Sequence, residues 1–313
     1  KMELQCWSLA PLFLLAARLL APVRGDQLEF GSSRWGQVMD SVLDLEGSYE
    51  QRAWVAAFDV DGTLIREKPD LLEVDWAKDA LCSRSPPAHE VPTRLAGLCN
   101  GTTDLHQLAY PREVYELLLL PFAGWPVDRY RAAVVSWLRS RRNIVYAAMA
   151  DFIGMLIKRG WRVMLVSQTM VDTIRALAAA YQLDVHAVLG TVPEVNLDAG
   201  RSPVLRRGLR LQGPLMNGKE KVQAIWAHEG RLPLVAVGNS AGDLVMLRSA
   251  VLGIVLDHNS SAECADCNYP QWSSRDDLRH NVSTYGWHVV SVDDLPRPLF
   301  RQPEGERTAV LTS

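Results

Sequence analysis

Apolar and polar positions fall in alternating blocks along this chain, and the blocks read as strands and helices in turn. Residues 53 to 58, AWVAAF, are apolar without a break, the pattern of a strand covered on both faces. WRVMLVSQT from Trp161, HAVLG from His186, PLVAVGNS from Pro233 and LGIVLD from Leu252 read the same way. Between them, apolar positions recur at helical spacing in NIVYAAMADFIGMLIKRG, which ends at Gly160, and in MVDTIRALAAAYQL, KEKVQAIWAHEG and GDLVMLRSA. Strands alternating with helices predict a parallel sheet with helices on both faces, an α/β Rossmann-like core. Residues 26 to 52 read as a polar lead-in. Residues 191 to 218 carry turn signals and Arg201, Arg206, Arg207 and Arg210, and read as a hairpin or loop with a solvated face.

The stretch between the first two strands is too long for a simple crossover. It holds the turn-rich CSRSPPAHEVPTRLAGLCNGTTD and helical segments near 111–120 and 127–141. It is expected to be an inserted α-helical cap over residues 66–142, which leaves 26–65 and 143–313 to the core domain. Trp76, Trp125 and Trp137 lie in this cap. We read them as packing residues in preference to a cage for a quaternary ammonium.

The N-terminus changes the picture of compartment. Leu9 to Leu20 is apolar apart from Arg18, too short for a comfortable membrane span. It fits the apolar region of a signal peptide over residues 1–25, with a buried helix as the competing reading. Four cysteines follow it: Cys82, Cys99, Cys264 and Cys267. An even count in a secreted chain suggests disulfides, with Cys82–Cys99 and Cys264–Cys267 as pairings. Three N-glycosylation sequons stand at Asn100, Asn259 and Asn281. The expected location is therefore secreted or periplasmic. The formal net charge of -3 gives no reason to expect nucleic acid or an anionic membrane as partner. The seven histidines show no metal-ligand spacing.

Candidate chemistry enters at the strand ends. FDVDGTLI drives an apolar strand into Asp59 and Asp61, although buried carboxylates are costly. Ser167 ends the second strand, Lys219 opens a helix, and Gly238-Asn239-Ser240-Ala241-Gly242-Asp243 ends a later strand. In an open parallel sheet these ends share one edge, so the residues can converge.

In that order, the motifs resemble the haloacid dehalogenase-like phosphatases, the branch with phosphoserine and phosphorylcholine phosphatases above all. The resemblance covers roughly residues 53 to 256. It implies that Asp59 attacks phosphorus to form an aspartyl-phosphate, and that Asp61 acts as acid and then base. It implies that Gly62, Thr63, Ser167 and Lys219 bind the phosphoryl group, with Lys221 as the fallback lysine. It also implies a Mg2+ ion held by Asp59, the Asp61 carbonyl and a ligand from the 238–243 loop. The family usually has aspartate where this chain has Asn239. Asp243 carries the only formal charge in that loop and is the expected charged ligand. The expected activity is a phosphatase acting on a small phosphorylated metabolite. A binding protein that kept the fold but lost turnover, and a phosphotransferase, are the alternatives.

Overall fold

The structure is a computed structural model, and it describes residues 34–66, 71–82, 111–200, 203–258 and 275–303. The signal-peptide segment, Cys99, Cys264, Cys267, Asn100 and Asn259 lie outside the described residues, so both expected disulfide pairings do too.

The sheet is built on β1 (Val55–Phe58) at its centre. β1 pairs in parallel with β3 (Arg162–Met170) on one side and with β6 (Val235–Gly238) on the other. β4 (Ala187–Asp198) extends the first side, and β7 (Leu252–Asp257) and β8 (His288–Ser291) extend the second, all parallel. β5 (Val204–Gln212) closes the edge as the antiparallel arm of a hairpin with β4. The order β5-β4-β3-β1-β6-β7-β8 reverses direction between β1 and β6. A ligand crevice forms at such a reversal, beyond the carboxyl ends of the strands. Two short strands, β2 (Val145–Tyr146) and β9 (Phe300–Arg301), pair separately.

The unbroken apolar runs are explained by burial on both faces. Ala56, Phe58, Val163, Leu165, Val235 and Val237 pack in one core layer. The residues between them, Val55, Ala57, Met164, Val166 and Ala236, pack in the other. α5 (Ala147–Lys158) covers the first layer, as does α1 (Arg34–Ser48). α7 (Lys219–Glu229) and α8 (Leu244–Ser249) cover the second. The Phe152 ring makes edge-to-face contacts with both Phe58 and Trp35, with ring centres 5.5 and 5.3 Å apart. Burying a side chain such as Phe58 contributes about 1.5–3 kcal/mol. α9 (Arg275–Tyr285) follows β7.

The polar lead-in is a difference from the sequence reading. It holds α1, with Trp35, Val38, Met39, Val42 and Leu45 buried at helical spacing. A second difference is β4, which runs on well past HAVLG to form the hairpin.

Residues 71–140 supply α2 (Leu72–Cys82), α3 (Pro111–Leu119) and α4 (Val127–Ser140). The hairpin joins them: the amide of Arg207 donates to the Trp125 carbonyl, and that of Gly124 to the Arg207 carbonyl. α4 also meets α6 (Val171–Ala180), the helix that leaves the end of β3. Trp76, Phe122, Tyr130 and Trp137 pack ring against ring inside this layer. Arg129 covers the face of Trp125 and Arg141 that of Trp137. Among the described residues, no helix is long and apolar enough to cross a membrane. Asn281 of the third sequon is buried and accepts a hydrogen bond from Arg248 (2.6 Å), a poor position for a glycan.

Candidate active site

Asp59 is the first residue beyond β1. Its amide still belongs to the sheet, donating to the Val237 carbonyl (2.9 Å), while its side chain leaves it. Gly62 then turns the chain at φ +74, a conformation that favours glycine. A Cβ there would also come within 2.7 Å of Asn239 Cγ. The turn closes on itself. Gly62 N–H donates to the Ile65 carbonyl and Thr63 N–H to that of Val60, so these two amides are not available to a phosphate. The amides of Val60 and Asp61 donate to no described residue. His258, buried at the end of β7, donates from Nε2 to the Gly62 carbonyl and fixes the turn from the far side.

A lysine clamps the centre of the site, and it is Lys221, not Lys219. Lys219 is exposed at the start of α7, whereas Lys221 lies two residues further, on the face that packs against the sheet. Lys221 Nζ donates to Asp59 Oδ1 and to Asp243 Oδ1, each at 2.6 Å. Its side chain is 3 % exposed. Burial opposes the ammonium charge, but Asp243 and Asp59 outweigh it and hold the lysine protonated well beyond its ordinary range. Burial, then the charge of Asp243, pushes the Asp59 carboxyl up to about 8 against the pull of Lys221. Two buried carboxylates sharing one ammonium cannot both carry their charge cheaply, and a further cation would let both ionise.

Asp243 is held inside the site by four donors. Its Oδ1 takes Lys221, and its Oδ2 accepts from the Asn239 amide, the Ser240 amide and the Ser240 hydroxyl at 3.0–3.1 Å. Oδ2 is therefore crowded with donors, while Oδ1 is held by the lysine alone. In this arrangement Asp243 anchors Lys221 and ties off its own loop. Gly238 permits this, since a Cβ there would sit 2.7 Å from Asp243 Cγ.

Asn239 faces the oxygens of Asp59 and Asp61. One terminal amide atom lies 3.3 Å from Asp59 Oδ2 and 3.0 Å from the Asp61 carbonyl oxygen. The amide nitrogen in that place donates to both oxygens. The amide oxygen in that place completes a cluster of three oxygens. Ligand atoms at right angles around Mg2+ are about 2.9 Å apart, for Mg–O distances near 2.05 Å. The cluster fits that edge, so the residues present suit a Mg2+ ion. Thr63 Oγ1 donates to Asp59 Oδ2 (3.2 Å) beside it.

Asp61 points the other way, toward the layer of α2. Its Oδ1 accepts from the Leu72 amide (2.9 Å), and its Oδ2 accepts from Ser167 (3.3 Å) and Thr169 (2.7 Å). The Thr169 amide in turn donates to Ser167 Oγ. Sequence reasoning missed Thr169, although it lies two residues from Ser167 and so on the same face of an extended chain. Tyr115 of α3 is buried close by: burial, then the charges of Asp61, Glu73 and Asp59, push its phenol well above the ordinary range. Asp59, Asp61, Thr63, Ser167, Asn239 and Asp243 thus form one connected cluster with Lys221, and Lys219 stays outside it.

Arg207 is another departure. Expected on a solvated face, it is 1 % exposed. It pairs with Asp172 (3.0 Å) and lies over the Tyr130 ring at 3.6 Å.

No curated protein sequence matches the chain. Among solved structures, a protein of unknown function from Bordetella pertussis Tohama I superposes at a TM-score of 0.56 with 20% identity, covering 75% of this chain and 97% of its own. A functionally unknown protein from Anaerococcus prevotii DSM 20548 gives 0.53 with 12% identity, covering 85% and 94%. A phosphoserine phosphatase with a phospho-aspartyl intermediate analogue gives 0.41 with 17% identity, covering 74% and 97%. The family model of haloacid dehalogenase-like hydrolases matches residues 56–248, more than half of the chain and every residue of the cluster. The chain belongs to the haloacid dehalogenase-like hydrolases.

Proposed function

We propose that this hydrolase is a secreted, Mg2+-dependent phosphatase that cleaves small phosphomonoesters through an aspartyl-phosphate on Asp59. The observation that carries the reading is the pair of aspartates in opposite settings. Asp59 is clamped by Lys221, and Asp61, two residues on, is turned toward Ser167 and Thr169. In the first half-reaction an Asp59 oxygen bonds to phosphorus, the bond to the leaving oxygen breaks, and Asp61 gives that oxygen its proton. In the second, Asp61 takes a proton from water, the water oxygen bonds to phosphorus, and the Asp59–phosphorus link breaks. Lys221, the amides of Val60 and Asp61, and Ser167 hold the phosphoryl oxygens. Bound Mg2+, held by Asp59, the Asp61 carbonyl and Asn239, would neutralise phosphoryl charge.

The helices of residues 66–142 act as the cap domain that excludes water and limits substrate size. The secreted location rests on the apolar stretch Leu9–Leu20 and the even cysteine count that follows it.

The test is phosphate release from a generic aryl phosphate, with Mg2+ and with a chelator, by the wild type and by Asp59→Asn. Mg2+-dependent release by the wild type alone is expected. Absence of release by a folded wild type with Mg2+ favours a binding protein of the same fold, a reading that Asn239 in place of aspartate keeps in play.

A further inference from the structure

We infer that His186, His228 and Glu229 form a zinc site at the pole of the molecule opposite Asp59. His228 and Glu229 end α7, and His186 precedes β4, so the cluster exists only in the folded chain. The ligand atoms of the three side chains all lie within 4.8 Å of one another. His186 Nε2 is 3.0 Å from Glu229 Oε1. The rings of His186 and His228 are stacked, with centres 5.5 Å apart and planes 13° from parallel.

Two imidazoles and one carboxylate make a borderline-soft donor set, suited to Zn2+ and not to Mg2+. Ligands about 2.0–2.2 Å from a tetrahedral zinc stand about 3.3 Å apart. One pair already meets that spacing, and His228, exposed at the helix end, needs only side-chain rotation to reach it. A fourth position is left to water.

The surroundings favour a built ligand over a chance surface contact. The Glu229 side chain is 3 % exposed, and Arg162 donates to its second oxygen at 3.0 Å, which fixes the direction of the first. Such outer partners orient metal ligands. His186 is held from behind, its amide donating to the Val163 carbonyl (2.8 Å). The Arg162 charge works against a dication, and the carboxylate between them offsets it.

Location separates this site from the reaction. Lys221 sits eight residues before Glu229 on α7, about 12 Å along a helix. Zinc here ties the end of α7 to the residue before β4 and stabilises the folded chain, whatever the substrate of the enzyme.

The experiment is equilibrium dialysis of Zn2+ against the protein in saturating Mg2+, together with thermal unfolding at the same concentrations. Wild type, His186→Gln, His228→Gln and the double variant are compared. Both histidines are exposed, so the single variants are expected to fold and to keep the basal activity. The wild type should bind one more zinc than the double variant and melt higher with zinc. Each single variant should bind zinc at least ~10-fold more weakly. Equal stoichiometry and equal thermal response in all four proteins would overturn the site, as would zinc uptake that excess Mg2+ removes entirely.

Discussion

At the scale of single residues, the site shows how neighbours override residue type. Asp243 has the charge that a hard dication prefers, yet it is engaged by Lys221 at Oδ1 and by Ser240 and the Asn239 amide at Oδ2. Asn239 is neutral, yet it faces the Asp59 and Asp61 oxygens. Position decides between them, so the two should separate in Mg2+ titrations of activity. Asn239→Ala is expected to raise the Mg2+ requirement about 10-fold or more, in the range seen when support of a metal is lost. Asn239→Asp should keep or lower it. Asp243→Asn should reduce turnover with little change in the requirement. The reverse order would restore Asp243 as the ligand. The two lysines offer a second contrast. Lys221→Met should lose about 10²-fold or more in kcat, the scale for removing one preorganised charge partner, while Lys219→Met stays within a few-fold of wild type. Equal loss in both would mean that the clamp has been assigned to the wrong lysine.

At the scale of elements, the core strands were legible because burial on both faces leaves an unbroken apolar run. Residues 53–58 and 252–257 needed no further signal. The order of motifs also placed Asp59, Asp61, Ser167 and the 238–243 loop on one edge. α1 carried its signal too, in the spacing of Trp35, Val38, Val42 and Leu45, but polar residues between them mask it. The length of β4 and the burial of Arg207 were not legible. Both depend on what the hairpin meets in space, namely Trp125, Tyr130 and Asp172.

The same elements enclose Glu73, which accepts from Tyr130 and Thr173 (3.1 and 2.6 Å). Burial raises its carboxyl above the ordinary range, partly offset by Arg207, Thr173 and Tyr130. The folded chain therefore keeps this proton at pH values where the unfolded chain has lost it. Its contribution to stability is complete below the unfolded pKa and is lost as pH rises through the folded one. Glu73→Gln removes that loss. Between pH 5 and pH 8 the urea midpoint should fall less in the variant than in the wild type. An equal or larger fall in the variant would contradict a raised Glu73 carboxyl.

At the scale of the molecule, the reversal of strand order between β1 and β6 brings residues from 59 to 243 to one crevice. The Mg2+ proposed for this crevice would be part of the fold as well as of the chemistry, since it would let both buried carboxylates ionise. At free Mg2+ about 100-fold above Kd, binding adds about 2.7 kcal/mol of stability. A chelator should therefore lower the wild-type Tm by several degrees, and Asn239→Ala should respond less at the same Mg2+ concentration. A Tm indifferent to Mg2+ in the wild type would argue against the oxygen cluster as a metal site. The central claim is that phosphorus passes through Asp59. The most direct measurement is to quench the enzyme in acid during turnover of a phosphomonoester, reduce the trapped acyl phosphate with hydride, and map the peptides. Reduction confined to Asp59, and absent without substrate, is the result expected. Steady turnover with no modified Asp59, or with the label on another residue, would contradict it.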